Sequence, residues 1–442
     1  MTNTDIQLFR ASVAHFPIAS NHPNDVLVFE RDGGLVVDGK KIVAIGRYQD
    51  LHSRFPDVKV TDYQGKLIVP GFIDSHVHYP QTEMIASYGD QLLNWLNNYT
   101  FPTEKKFACP KYAALMAELF IQQLVKNGTT TAIAYATVHS HSADALFRAA
   151  SQRDMTMITG KVCMDQHCPD DLKDTAASAQ RESAALIEQW HGKGRNLYAL
   201  TPRFAPTSSR DQLSALGELA QSFPDVFIQT HLSENKDEID WVSTLYPQHD
   251  HYLDVYDHYN LVRQRSVFGH CIHLPDESWQ RLGETGAVAV FCPSSNLFLG
   301  SGLFDKCRAD AFDVNVVLAS DVGAGTSFNL MRTYGEAYKV SQLQGAPIDP
   351  ITGLYMMTQG AAIAHQLDHD IGNLNPGTYA DFVVLDPQFS ELASLRIKPD
   401  ASVDDMLFAL SMLGDERAII QTYIAGKPNI HGINKEATHA LA

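Results

Sequence analysis

From Phe72 onward the chain repeats one motif, a strand-length apolar run followed by a longer helix-periodic stretch. The runs are "FIDSHVH", "TTTAIAYAT", "TMITGKVCM", "LYALTPRFAP", "VFIQTHLSE", "SVFGHCIH", "AVAVFCPSS" and "VNVVLASDVG". Their near-continuous apolar character suits strands covered on both faces, and stretches such as "KYAALMAELFIQQLVKNG" carry the helical period between them. Eight such units, in about the length that eight-fold barrels usually occupy, predict an α/β fold of the (β/α)8 TIM-like barrel type. Periodicity alone also admits an open doubly wound sheet. No G-x-G-x-x-G follows any of the strands, which removes the dinucleotide-binding version of that alternative.

Both chain ends have a different texture. "DVLVFERDGGLVVDGKKIVAIG" reads as hairpins turning at Asp-Gly and Gly-Gly, and "NLNPGTYADFVVLD" and "AIIQTYIAGKPNI" read as strands with Pro-Gly and Gly-Lys turns. These segments predict a small β-sandwich domain formed by residues 1–70 and 376–442, with the barrel spanning 71–375.

Composition narrows the partners. With 34 basic against 51 acidic residues the net charge is −17, which argues against nucleic acid. Six scattered cysteines without a C-x-x-C pair read as reduced thiols of a cytoplasmic protein. The N-terminal residues lack the basic-then-apolar pattern of a signal peptide. No apolar run nears the ~20 residues of a membrane span, so no membrane partner is expected.

The chemistry concentrates at strand ends. In "VPGFIDSHVHYPQ", His76 and His78 flank Val77, and strand alternation turns both imidazoles to one face, where both can reach one metal ion. His231 ends the fifth predicted strand, His270 lies in the sixth and Asp321 ends the eighth. Barrel strands open their C-terminal ends onto one face, so four imidazoles and a carboxylate converge there, a set suited to a borderline metal such as zinc with room left for water. Glu234, three residues after His231, can serve as a general acid–base, or can simply favour the start of the following helix. Arg203 and Phe204 in "LTPRFAPTSS", with Gln81, supply a forked donor, a stacking face and an amide, a set that describes a pocket for a flat polar heterocycle. A structural ion pair is the competing reading of Arg203. His139, His141, His167, His251, His258 and His273 lack partners at ligand spacing, and Lys161 lies mid-strand rather than at the strand end expected of a bridging ligand.

In order along the chain, "PGFIDSHVH", "THLSE", "GHC" and "SDVGAG" resemble the amidohydrolase superfamily, and "NPGTYADFVVLD" is similar to its barrel-exit segment. The H-x-x-E after the fifth strand resembles its mononuclear deaminases rather than its binuclear, lysine-bridged hydrolases. The more specific segments "LLNWLNNYTFPTEKKF", "TPRFAPTSS", "THLSENKDEI" and "NLFLGSGLF" are similar to the members that act on guanine. This resemblance covers nearly the whole chain. It implies zinc, one ion per subunit, on His76, His78, His231 and Asp321, a ligand set that iron(II) would also accept. It implies guanine held against His78, Gln81, Arg203, Phe204, His231, Glu234 and Asp321, and deaminated at C2 to xanthine and ammonia. The same resemblance implies catalytic roles for Glu234, Asp321 and His270, and a homodimer. The alternatives are a deaminase of another purine, a pyrimidine or a triazine on the same scaffold, or a ligand-deficient structural relative, although every expected ligand is present. The long segment from Tyr79 to Phe107, with Trp95 and Phe101, reads either as a moving lid or as a fixed cover of the barrel mouth.

Overall fold

The computed structural model describes residues 6–89 and 91–429. Its strands are β1 (Ile6–His15), β2 (Val28–Asp38), β3 (Lys41–Arg47), β4 (Lys59–Pro70), β5 (Phe72–His78), β6 (Thr129–Tyr135), β7 (Thr156–Gly160), β8 (Val162–Cys163), β9 (Asn196–Pro202), β10 (Phe227–Leu232), β11 (Ser266–His270), β12 (Val288–Phe291), β13 (Asn315–Leu318), β14 (Phe382–Leu385), β15 (Ile419–Ile424) and β16 (Lys427–Asn429). All eight apolar runs form strands. They pair in parallel in the order β13-β12-β11-β10-β9-β7-β6-β5, with β8 beside β9. The run over 156–164 is interrupted at Lys161, whose ammonium turns away to a buried ion pair with Asp174 at 2.5 Å.

Beyond the last ladder of β13 the two end strands meet. The Asp321 N–H donates to the His76 carbonyl at 2.9 Å and the His78 N–H donates to the Val322 carbonyl at 2.7 Å. This nearly closed (β/α)8 barrel is filled by side chains from every strand, among them Ile73, Ile133, Ile158, Phe227, Val267, Val288 and Val317. An outer shell of helices buries the other strand faces; in Pro110–Lys126 the residues Ala113, Met116, Ala117, Phe120, Ile121 and Leu124 form the inward stripe.

The chain ends build one seven-stranded sheet in the order β16-β15-β14-β4-β1-β2-β3. The Asp38-Gly39 turn forms as expected, but Asp32-Gly33-Gly34 lies inside β2. There β1 and β2 shift register, and a Cβ on Gly33 would stand 2.9 Å from Val13, so the glycine serves close strand approach at a bulge rather than a turn. Pro70-Gly71 is likewise no hairpin. It passes the chain from β4 in the outer sheet to β5 in the barrel, and a Cβ at Gly71 would strike Thr130 at 2.1 Å. Within the 376–429 segment, the helix Val403–Leu413 packs on the helices Leu330–Leu343 and Pro350–Met356. The expectation for 430–442 lies outside the described residues.

Candidate active site

Each predicted site residue stands at the C-terminal mouth of the barrel, because each ends or follows a barrel strand. His76 and His78 come from β5, Arg203 and Phe204 follow β9, His231 lies in β10 with Glu234 just beyond, His270 closes β11 and Asp321 follows β13. Several of these ends hold a left-handed backbone that side-chain-bearing residues rarely adopt: Ser233 at φ 51°, His270 at φ 71° and Asp321 at φ 49°. Such geometry costs about 1–3 kcal/mol each and persists only where the surroundings fix it. Asp74 is one such fixture. Its buried carboxylate accepts from the Ser320 N–H at 3.0 Å and the Ser320 hydroxyl at 2.5 Å, tying β5 to the segment that carries Asp321.

The donor atoms face one another closely. His76 Nε2 and His78 Nε2 are 3.3 Å apart, and His78 Nε2 and His231 Nε2 are 3.2 Å apart. Asp321 Oδ1 lies 3.4 Å from both His76 Nε2 and His78 Nε2. A tetrahedral ion with bonds of 2.0–2.1 Å separates its ligands by roughly 3.3 Å, so these spacings match the edges of such a polyhedron. Three imidazole nitrogens packed this tightly could hold one cation between them, and burial drives the His78 pKa down to about 3, which keeps that ring neutral and able to ligate. His231 is oriented from behind, its Nδ1 donating to the Arg203 carbonyl at 2.7 Å. Gly269 makes room for the cluster, since a Cβ there would sit 2.6 Å from His76 Cε1.

Above this cluster lies a pocket walled mostly by buried side chains. Glu234 and His270 lie on one side, Arg203 and Gln81 elsewhere on its polar wall, and Leu92, Trp95, Leu96, Phe204 and Leu299 give it apolar faces. Glu234 is buried; desolvation and the nearby Asp321 charge push its pKa well above the ordinary carboxylate range. Its Oε2 is 3.4 Å from His270 Nε2, and its Oε1 accepts from the Ser301 hydroxyl at 3.3 Å. Asp321 behaves oppositely. Burial would raise it, but the hydrogen bonds of His76 and His78 and the charges of His76 and His270 hold it well below the carboxylate range. The two carboxyl groups that flank the same space are thus pushed in opposite directions, one toward proton donor and the other toward proton acceptor. Gln81 Oε1 accepts from the Gly323 N–H at 3.3 Å, which leaves the amide NH2 for a ligand.

The competing reading of Arg203 is also present: its Nη1 donates to both oxygens of Glu104, at 2.9 and 2.8 Å. Glu104 was not legible as a partner, because it stands 99 residues away in sequence, among other charges in "TEKK". Asn296, whose Oδ1 accepts from His270 Nδ1 at 2.9 Å, Glu238 and Tyr135 also escaped the sequence reading. A helical register does place Glu238 one turn after Glu234, where it accepts from the Glu234 and Asn235 N–H groups at 2.9 and 3.1 Å. The remaining histidines stay apart from the cluster: His141 pairs with the Phe107 carbonyl at 2.8 Å and His273 with the Ser301 carbonyl at 2.8 Å. Among the described residues, no helix is long and apolar enough to cross a membrane.

Comparison with known proteins agrees with this geometry. Residues 67–428 match the model of the amidohydrolase family. The guanine deaminase of Escherichia coli (strain K12) is 50% identical over 402 residues, covering 91% of this chain and 92% of that protein. The solved structure of the E. coli guanine deaminase superposes with a TM-score of 0.94 at 48% identity, over 96% of this chain and 99% of that one. That of guanine deaminase from C. acetobutylicum with bound guanine in the active site gives a TM-score of 0.87 at 28% identity, over 96% of this chain and all of that one (100%). By the extent of these matches, the chain belongs to the amidohydrolase family.

Proposed function

We propose that this protein hydrolyses guanine to xanthine and ammonia, using one zinc ion per subunit. The observation that carries the reading is the lining of one pocket by His78, His231 and Asp321 of the metal-type cluster, by Glu234, and by side chains able to hold a flat heterocycle. Relatives named guanine deaminase, at up to 50% identity over most of the chain, support the choice of base.

Bound by those four residues, zinc would supply Lewis acidity, making a water molecule acidic enough to ionise near neutral pH. Asp321 Oδ1 faces the imidazoles, while Oδ2 turns toward His270 at 3.8 Å, where it can take the proton released by the attacking water. Glu234 gives its proton to the ring nitrogen beside C2, which makes C2 electrophilic, and then carries a proton to the departing amino group. His270, held by Asn296, directs Nε2 to the point where negative charge grows on the incoming oxygen. Gln81, Arg203 and Phe204 fix the plane and orientation of the base, and His78 and His231 border it beside the cluster. The sum is guanine plus water giving xanthine plus ammonia.

In this reading 71–375 performs the chemistry, and 1–70 with 376–442 support it. The thiols, none of them paired, fit a cytoplasmic setting, and the resemblance implies a homodimer. Purified protein should release xanthine and ammonia from guanine; chelation should abolish the release and zinc should restore it, with iron(II) as the comparison. Adenine, cytosine and triazines complete the panel. Tight metal binding without guanine turnover would reject the substrate and leave the hydrolytic centre standing.

A further inference from the structure

The pair between Arg203 and Glu104 has an unusual shape. Arginine and carboxylate usually meet as two parallel forks, whereas both Glu104 oxygens here accept from the single nitrogen Nη1. Among the described residues, no protein group accepts from Nε or Nη2, and the guanidinium lines the cavity. Glu104 belongs to the segment between β5 and β6 that covers the barrel mouth, as does Phe101, whose ring centroid lies 5.5 Å from the guanidinium carbon. That cover is already held by apolar packing of Leu92, Trp95 and Leu96 against Val138, Met164 and Leu299. A buried ion pair adds little net stability, so anchoring the cover does not account for this one.

We propose that Glu104 is a positioning residue that sets the preference for a 6-oxopurine. By occupying Nη1, it leaves the Nε/Nη2 fork as the face that Arg203 turns to the cavity. Two parallel N–H donors match the O6 and N7 acceptors of a guanine-type edge and oppose the amino donor of a 6-aminopurine. This inference rests on the reading of Arg203 as a substrate contact.

The test compares KM for guanine with the inhibition constant of 2-aminopurine, which lacks the 6-oxo group, in Glu104→Gln, Arg203→Gln and the double variant. Zinc content and circular dichroism serve as folding controls. Glu104→Gln should raise KM for guanine about tenfold, with kcat and the 2-aminopurine constant changing by less than about twofold. Arg203→Gln should do the same, and the double variant should add nothing further. Equal weakening of guanine and 2-aminopurine, or additive effects in the double variant, would overturn the proposal. An unchanged guanine KM in Arg203→Gln would instead reject Arg203 as a substrate contact. Should Glu104→Gln fail to fold, Glu104→Asp is read against the same split.

Discussion

Opposite surroundings set the two carboxyl groups of this pocket apart. Both are buried, yet Asp321 faces imidazoles while Glu234 faces Asp321, and neighbour chemistry alone pushes their pKa values apart. Glu234→Gln keeps the shape and removes the transferable proton. Guanine turnover should fall by about 10²- to 10⁴-fold while one metal ion per subunit remains, measured by steady-state rates and elemental analysis. Loss of metal together with turnover would place Glu234 in the ligand set instead. The imidazole and carboxylate positions were legible in the sequence because each closes an apolar run, and a barrel brings such ends together. Glu104 and Asn296 were not, because a buried polar side chain reveals its meaning only through a partner, and these partners lie 99 and 26 residues away.

At the scale of the element, the segment between β5 and β6 decides how dry the pocket is. It is helical over Leu92–Trp95 and Phe101–Lys105, with a π-type turn over Leu96–Thr100 between them. Trp95 is buried among Leu92, Leu96, Phe101 and the rim of the barrel. One polar latch reinforces it, Gln91, whose Oε1 accepts from the Asn235 amide at 2.9 Å. Trp95→Ala removes a side chain whose loss from a core costs about 3–5 kcal/mol. Hydrogen exchange over 92–105 should quicken and kcat/KM for guanine should fall by at least about tenfold, with metal content unchanged. Unaltered exchange would show that the cover is held from elsewhere. Length and aromatics made this segment stand out in the sequence, and the helical cover is one of the two forms they suggest. The Gly33-Gly34 pair misled, since glycine serves turns and close strand contacts alike and only the partner strand tells them apart.

For the whole molecule, buried neutral histidines outside the pocket couple stability to pH. Burial lowers His365 to about 3 and His15 to about 4, each from 6.5. The unfolded chain therefore binds their protons more tightly than the folded one. Their contribution is fully present above pH 6.5 and is lost as pH falls toward those folded values. Each unit of separation is worth about 1.4 kcal/mol, so between pH 7 and 5 these two histidines should withdraw a few kcal/mol from the denaturation free energy, while Asp74 and Glu238, raised by burial to about 6 and about 7, act in the opposite sense. His365→Gln, which can keep a hydrogen bond to the Ser75 hydroxyl, should flatten that slope in urea titrations. An unchanged slope would remove His365 from the account.

The placement of β4 between β1 and β14 also has a consequence for how the protein is made. On the ribosome, β1 and β4 emerge early, but β14 follows about 300 residues later, on the order of 15–60 s at ordinary translation speeds. Through that interval one edge of β4 has no partner, and the same strand leads through Gly71 into the two histidines of β5. A nascent chain released before Phe382 would carry His76 and His78 beside an open, adhesive strand edge. Quality control therefore has a reason to act on late truncations of this protein more severely than their small loss of length suggests.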